Sequence, residues 1–145
     1  MIDRKVFFDM YRPMAPEGRL NQKQVDAMNT FLSFVDKNIA MFQVNQWAYV
    51  FATVYLETGY SFEPVKEGFY LKDRYGWSDA QYEAWAKRNL RYWPYYGRGY
   101  VQLTWRRNYE KYSIKVGWDY VKNPDWVMIP AVAFFVLVDG FATGD

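Results

Sequence analysis

The sequence predicts a mainly α chain of the α+β class, with one small β element beside a cleft. Three observations lead there. Apolar residues recur at helical spacing through several stretches. Two of those stretches open with Asn or Ser followed three residues later by Gln, the signature of a capping box. The aromatic, glycine-broken stretch Tyr92 to Leu103 suits a short strand or hairpin instead.

The elements follow in order. Asp3 to Tyr11 reads as a short helix with Phe7, Phe8 and Tyr11 inward, and Arg12 to Gly18 as a turn-rich break. Asn21 with Gln24 opens a helix over Gln22 to Lys37, with Val25, Met28, Leu32 and Val35 in register. Asn45 or Gln46 opens the next segment. Trp47 to Leu56 is apolar nearly all round, which predicts a fully buried helix, although its β-branched content also allows a strand. Glu57 ends it, and Gly59 is a natural stop. Residues 60–77 read as a loop. Ser78 with Gln81 opens a helix that turns Tyr82, Trp85 and Ala86 inward. Arg106 to Val116 is helical, with Tyr109, Tyr112 and Val116 in register and Gly117 as stop. Pro130 and Gly140 bracket a last buried helix.

Composition narrows the function. The 145 residues fit a single domain with a real core, and 51% hydrophobic with 23% charged residues is ordinary for a folded chain. A net charge of +2 does not argue for nucleic acid, and it suits an anionic cell wall. Aromatic content is high at 22%, enough to serve both a core and a sugar-stacking cleft. With no Cys and no His, a thiol nucleophile, a Ser-His-Asp triad and a Cys- or His-ligated zinc are excluded. No cofactor is expected. Acid–base chemistry falls to carboxylates, Lys or Tyr. The apolar runs Trp47 to Leu56 and Ala131 to Val138 are too short to span a bilayer, and Met1 to Lys5 does not open a signal peptide.

Three groups can carry chemistry. Glu57 follows an apolar stretch at a helix C-terminus. Low dielectric and the negative end of the helix dipole both disfavour its ionisation, which suits a general acid. The alternative is an ordinary solvated helix-end Glu. A second carboxylate is then needed, roughly 6.5–9.5 Å away in an inverting glycosidase. Glu67 is the choice, with Glu63 and Asp73 as rivals, and a solvated loop charge is the bland reading of each. The third group is Tyr96-Gly97-Arg98-Gly99-Tyr100-Val101-Gln102-Leu103-Thr104, then Asn108-Tyr109. Its glycines let the backbone approach another segment or a ligand. Arg98 can pair with a cleft carboxylate. Thr104 and Asn108, four apart, can share a water or an N-acetyl group, and Thr104 can also cap the next helix.

These stretches carry a resemblance. Ala52 to Gly59 resembles the A-x-x-x-H-E-[ST]-G helix end of glycoside hydrolase family 19, which includes plant-type chitinases and phage endolysins. Tyr96 to Thr104 with Asn108-Tyr109 resembles that family's [FY]-G-R-G-x-x-Q-L-[ST]…N-Y motif. Gly18 to Asp26 is similar to a segment that opens phage cell-wall hydrolases.

The resemblance implies a lysozyme-like fold and single-displacement, inverting hydrolysis of a β-1,4 bond beside an N-acetylated sugar. Glu57 matches the general acid, Thr104 the residue that positions water, and Asn108 the substrate-binding amide. Gln102 and Arg98 match positions that line the cleft, and Tyr109 closes the motif as a substrate-side residue. Two departures stand out. Leu56 occupies the place of the usual His, and the chain stops soon after Asp139 to Gly144, where the family continues, so a truncated or naturally short form is expected. The implied role is a monomeric endolysin cutting bacterial peptidoglycan. It would be made in the host cytoplasm and reach the wall by holin-type release, or be carried on a virion. A chitinase of the same fold and a catalytically silent glycan-binding or structural virion protein are the alternatives.

Overall fold

The structure is a computed structural model and describes residues 1–144. It is mainly α, with one two-stranded antiparallel sheet. The elements are α1 (Arg4–Tyr11), α2 (Gln22–Lys37), α3 (Val44–Glu57), β1 (Val65–Lys66), α4 (Tyr70–Tyr75), α5 (Asp79–Asn89), β2 (Arg98–Gly99), α6 (Arg106–Val116) and α7 (Pro130–Thr143). Short 3-10 turns fill three of the joints, at 12–18, 39–41 and 124–128. Two compact units result among the described residues: residues 1–63 with 138–144, and residues 64–137.

In the first unit, α2 is opened by the Asn21/Gln24 capping box and buries Met28, Phe31, Leu32 and Val35. Phe31 meets Phe51 and Phe62 edge-on at 5.3 and 5.4 Å. Such pairs add about 0.5–1.5 kcal/mol each beyond the area they bury. Asp36 fastens the N-terminus, accepting from the Ile2 N–H at 2.6 Å and pairing with Arg4 at 2.8 Å.

The second unit is built on aromatic residues. Tyr82 and Ala86 of α5 bury against Tyr96. Tyr109 and Tyr112 of α6 pack with Leu103, Tyr120, Val127, Val132 and Val136. β1 and β2 pair Val65 with Gly99 and Lys66 with Arg98. This brings the 64–67 segment against the glycine-flanked arginine.

Three expectations are corrected. Helix α3 begins at Val44 under a Gln43/Gln46 capping box, and it is helical throughout. It is not buried all round: Trp47, Val50 and Val54 form a single inward stripe, while Tyr49 and Leu56 are each 66% exposed. A 3.6-residue period turns only one stripe inward, whatever the other faces carry. Residues 60–77 are not a plain loop, since they contain β1 and α4; both are too short to show a period. The 92–103 stretch does hold the expected short strand, Arg98–Gly99, which pairs with β1, and a bridge from Arg98 to Leu103 closes a hairpin-like turn. Gly140 does not stop α7, which continues to Thr143. Glycine in a helix costs only about 0.5–1 kcal/mol, and the helix tolerates it.

Candidate active site

Helix α3 ends on Glu57, and its stop is built locally. Thr58 is the cap and Gly59 takes φ +56°. The Gly59 N–H donates to Leu56 O at 3.2 Å and the Tyr60 N–H to Tyr55 O at 2.8 Å. This is a Schellman motif, with the Tyr55 and Tyr60 rings 4.6 Å apart as its hydrophobic contact. Thr58 is buried; its hydroxyl donates to Val54 O at 2.7 Å and accepts from the Phe62 N–H at 3.0 Å. Tyr11 and Tyr55 add hydroxyl donations to Tyr60 O and Met14 O.

Glu57 is thereby fixed at the backbone and open at the side chain. It is exposed, and it has no ion-pair partner among the described residues. The expected burial is not met. The inward stripe of α3 runs from Val54 to Thr58, four residues on, and passes Glu57 by. Its place at the negative end of the helix dipole stands. Leu56 beside it also faces outward.

In the second unit, Arg98 is the centre of the motif loop. It is 2% exposed. Its Nε donates to Asp125 at 2.8 Å, and its Nη1 to Pro94 O, Tyr96 O and the Tyr109 hydroxyl at 2.9–3.2 Å. Its guanidinium carbon lies 3.7 Å from the Tyr96 ring centre. The Tyr109 hydroxyl, fully buried, also reaches Tyr96 O at 2.8 Å and Leu103 O at 3.1 Å. Asp125 is shared with Lys66 at 2.7 Å. Burial pulls the Asp125 carboxyl upward, but the Lys66 hydrogen bond and the Arg98 charge outweigh it and hold the carboxyl below its ordinary range. The Tyr96 hydroxyl, which donates to Glu83 at 2.7 Å, is pushed up, first by burial and then by that carboxylate.

The network holds the polar residues of the loop in place. The Glu67 carboxylate accepts from the Gly97 N–H at 3.0 Å, and the Glu67 N–H donates to Gly97 O at 2.8 Å. The Gln102 amide donates to Val65 O at 3.1 Å. A Cβ at Gly97 would lie 2.6 Å from the Gln102 side-chain oxygen, so glycine at 97 is what lets that side chain pack there. The Thr104 hydroxyl donates to Gln102 O and the Asn108 amide to Thr104 O, each at 2.7 Å. Gln102 (φ +54°) and Trp105 (φ +75°) bracket Thr104 with strained backbone. For non-glycine residues this costs about 1–3 kcal/mol each, and such strain clusters at functional sites.

The second unit therefore gathers Glu67, Arg98, Gln102, Thr104, Asn108 and Tyr109 around one loop. Arg98 and Tyr109 are buried and bonded inward, so they hold the loop's shape; Thr104 and Asn108 are half-buried and Glu67 is exposed. Thr104 does not cap α6. Trp105 stands at the cap position, with no side-chain cap bond. Of the rival carboxylates, Glu63 belongs to the first unit and pairs with Lys23 at 3.0 Å, while Asp73 is exposed on α4. Asp125, Lys66 and Glu83 escaped sequence reasoning. Asp125 lies 27 residues from Arg98 in a 3-10 turn, and no spacing links the two.

Comparison with known proteins identifies the family. The family model of glycoside hydrolase family 19, described as chitinase class I, matches residues 23–141. Acidic endochitinase Q of Nicotiana tabacum is 51% identical over 41 residues, 28% of this chain and 16% of that protein. Chitinase 8 and chitinase 11 of Oryza sativa subsp. japonica are 50% and 52% identical over 42 residues. The chain thus covers 16% of the length of each of these relatives. No solved structure gives a significant match. With the family model spanning most of its length, the chain belongs to glycoside hydrolase family 19, the chitinase class I family.

Proposed function

We propose that this protein hydrolyses β-1,4 bonds of bacterial peptidoglycan by single displacement. Glu57 gives its proton to the leaving glycosidic oxygen as the sugar bond breaks. Water attacks the anomeric carbon from the opposite face, and Glu67 takes the proton that water loses. Thr104 and Asn108 hold that water and the N-acetyl group. The observation that carries this reading is the Thr104–Asn108 contact within the family's motif loop. The Thr104 hydrogen is committed to Gln102 O, so its oxygen is left to accept from a water. Arg98 and Tyr109 act beneath the surface, and Gln102 fixes the loop against Val65.

Peptidoglycan is favoured by the chain's positive charge and its lack of cysteine. A fold without disulfides suits a protein made in a reducing bacterial cytoplasm and brought to the wall by a holin-type pore, or carried on a virion. Chitin is the second reading, favoured by the relatives, which are named as chitinases. Leu56 in place of the usual His favours a third, a glycan-binding protein without catalysis.

One experiment separates the three. Reducing ends are measured after incubation with purified Gram-negative peptidoglycan and, in parallel, with chitin, for wild type and Glu57→Gln. Release from peptidoglycan by wild type, falling on the order of 10³-fold in the variant, is the expected result. Release from chitin alone moves the substrate. No release from either, by wild type, leaves a binding role.

A further inference from the structure

The surface beside Thr104 carries two aromatic rings in close, tilted contact, Tyr92 half-buried and Trp105 exposed, each with an arginine beside it that has no ion-pair partner among the described residues. Tyr92 and Trp105 have ring centres 4.2 Å apart at 32°. Arg91 lies over Tyr92 at 5.4 Å and Arg107 over Trp105 at 5.5 Å. Trp105 is 45% exposed, and both arginines are exposed. Neither arginine has an ion-pair partner among the described residues; the neighbouring Arg106 takes Glu110 instead, at 2.8 Å. Lys87, over Trp93 at 5.1 Å, adds a third cation on a further exposed ring.

A core role does not explain this arrangement. Trp105 keeps a φ of +75° while leaving nearly half of its surface in water, so burial does not offset the strain. The same backbone holds the site: the Asn108 N–H donates to Trp105 O at 3.0 Å, and Thr104 is the preceding residue. A guanidinium resting on a ring is already planar and oriented, with its N–H edge free, so it forms a two-pronged bond to a carboxylate with little further ordering.

We propose that Arg91 and Arg107, braced on the Tyr92–Trp105 ring pair, form a carboxylate-binding subsite that selects glycan strands bearing acidic substituents. Peptidoglycan carries carboxylates on its lactyl-linked peptide stems, and chitin carries none. The catalytic consequence rests on the glycosidase reading above, whereas the binding consequence does not.

The test is co-sedimentation of the full chain with purified Gram-negative sacculi, native or with their carboxylates amidated by carbodiimide, and with chitin. Wild type is expected to bind amidated sacculi about tenfold more weakly than native ones, and less tightly as salt rises. Arg91→Gln/Arg107→Gln is expected to bind native sacculi as weakly as wild type binds amidated ones, with no further loss on amidation and an unchanged circular dichroism spectrum. Indifference of wild type to amidation overturns the subsite, as does native-level binding by the variant or an equal loss on chitin. Wild type that binds native sacculi in this carboxylate-dependent way, yet releases no reducing ends from any glycan, sinks the glycosidase reading and leaves the subsite standing.

Discussion

The end of α3 and the loop from Pro94 to Tyr109 fix their candidate residues by different means. Glu57 is held by neighbours in sequence: a left-handed glycine two residues on, two backbone bonds closing the helix, and the Tyr55–Tyr60 ring contact. Thr104 and Asn108 depend on a buried arginine whose partners come from 94, 96, 109 and 125. The first arrangement needs only one stretch of chain to fold. The second needs distant segments to arrive together, and it concentrates the cost of a single change in one side chain.

The largest effect that this difference predicts is at Arg98. Arg98→Leu keeps most of the volume but removes the bond to Asp125, the bonds to two carbonyls and the bond to the Tyr109 hydroxyl, and leaves Pro94 O without that donor. Hydrogen bonds to a charged group contribute about 1.5–3 kcal/mol each, and with the Asp125 carboxylate 57% exposed and still held by Lys66, a total loss of about 3 kcal/mol is expected. The urea midpoint reads the loss, and amide exchange should rise most across residues 94–104. A loss below about 1 kcal/mol breaks the comparison, because the loop would then be holding itself.

The same contrast decides what was legible in the sequence. Helix α2 follows from Asn21 and Gln24, and α6 from its tyrosine spacing and Gly117, because caps and periods are written within a few residues. The Glu57–Gly59 helix end is equally local. The exposure of Glu57 was not legible: ten apolar residues before it say nothing of which stripe faces inward. Nor was the role of Gly97, read as room for a neighbouring segment or a ligand, when the group it admits is the Gln102 side chain of its own loop. Arg98 reads as a cleft residue until Asp125 is known to reach it, and the pairing of the two depends on the tertiary fold.

A middle-sized effect tests the other half of the comparison. Gly59→Ala adds a Cβ that meets nothing within 4 Å, so its whole cost is the left-handed backbone, about 1 kcal/mol. That strain does not titrate, so the shift in urea midpoint should be the same at pH 7 and pH 3. A much larger loss would mean that the cap relies on packing beyond its own residues.

Asp125→Asn gives the smallest effect and the sharpest contrast. The folded Asp125 carboxyl sits below its ordinary value of 3.8, held there by Lys66 and Arg98 against the pull of burial. The unfolded chain therefore takes up this proton first as pH falls. The stabilisation is fully present above 3.8, declines as pH drops through the folded-state value, and is gone below it. Because the group is largely exposed, it contributes a few tenths of a kcal/mol, as exposed pairs do. Wild type should exceed Asp125→Asn in stability at pH 7, and the gap should narrow as pH falls below 3.8, while the gap between wild type and Gly59→Ala stays unchanged. If the Asp125 gap holds steady across that range, Arg98 is anchored by its carbonyl partners rather than by charge. The loop would then depend on hydrogen-bond geometry alone, as the helix end does.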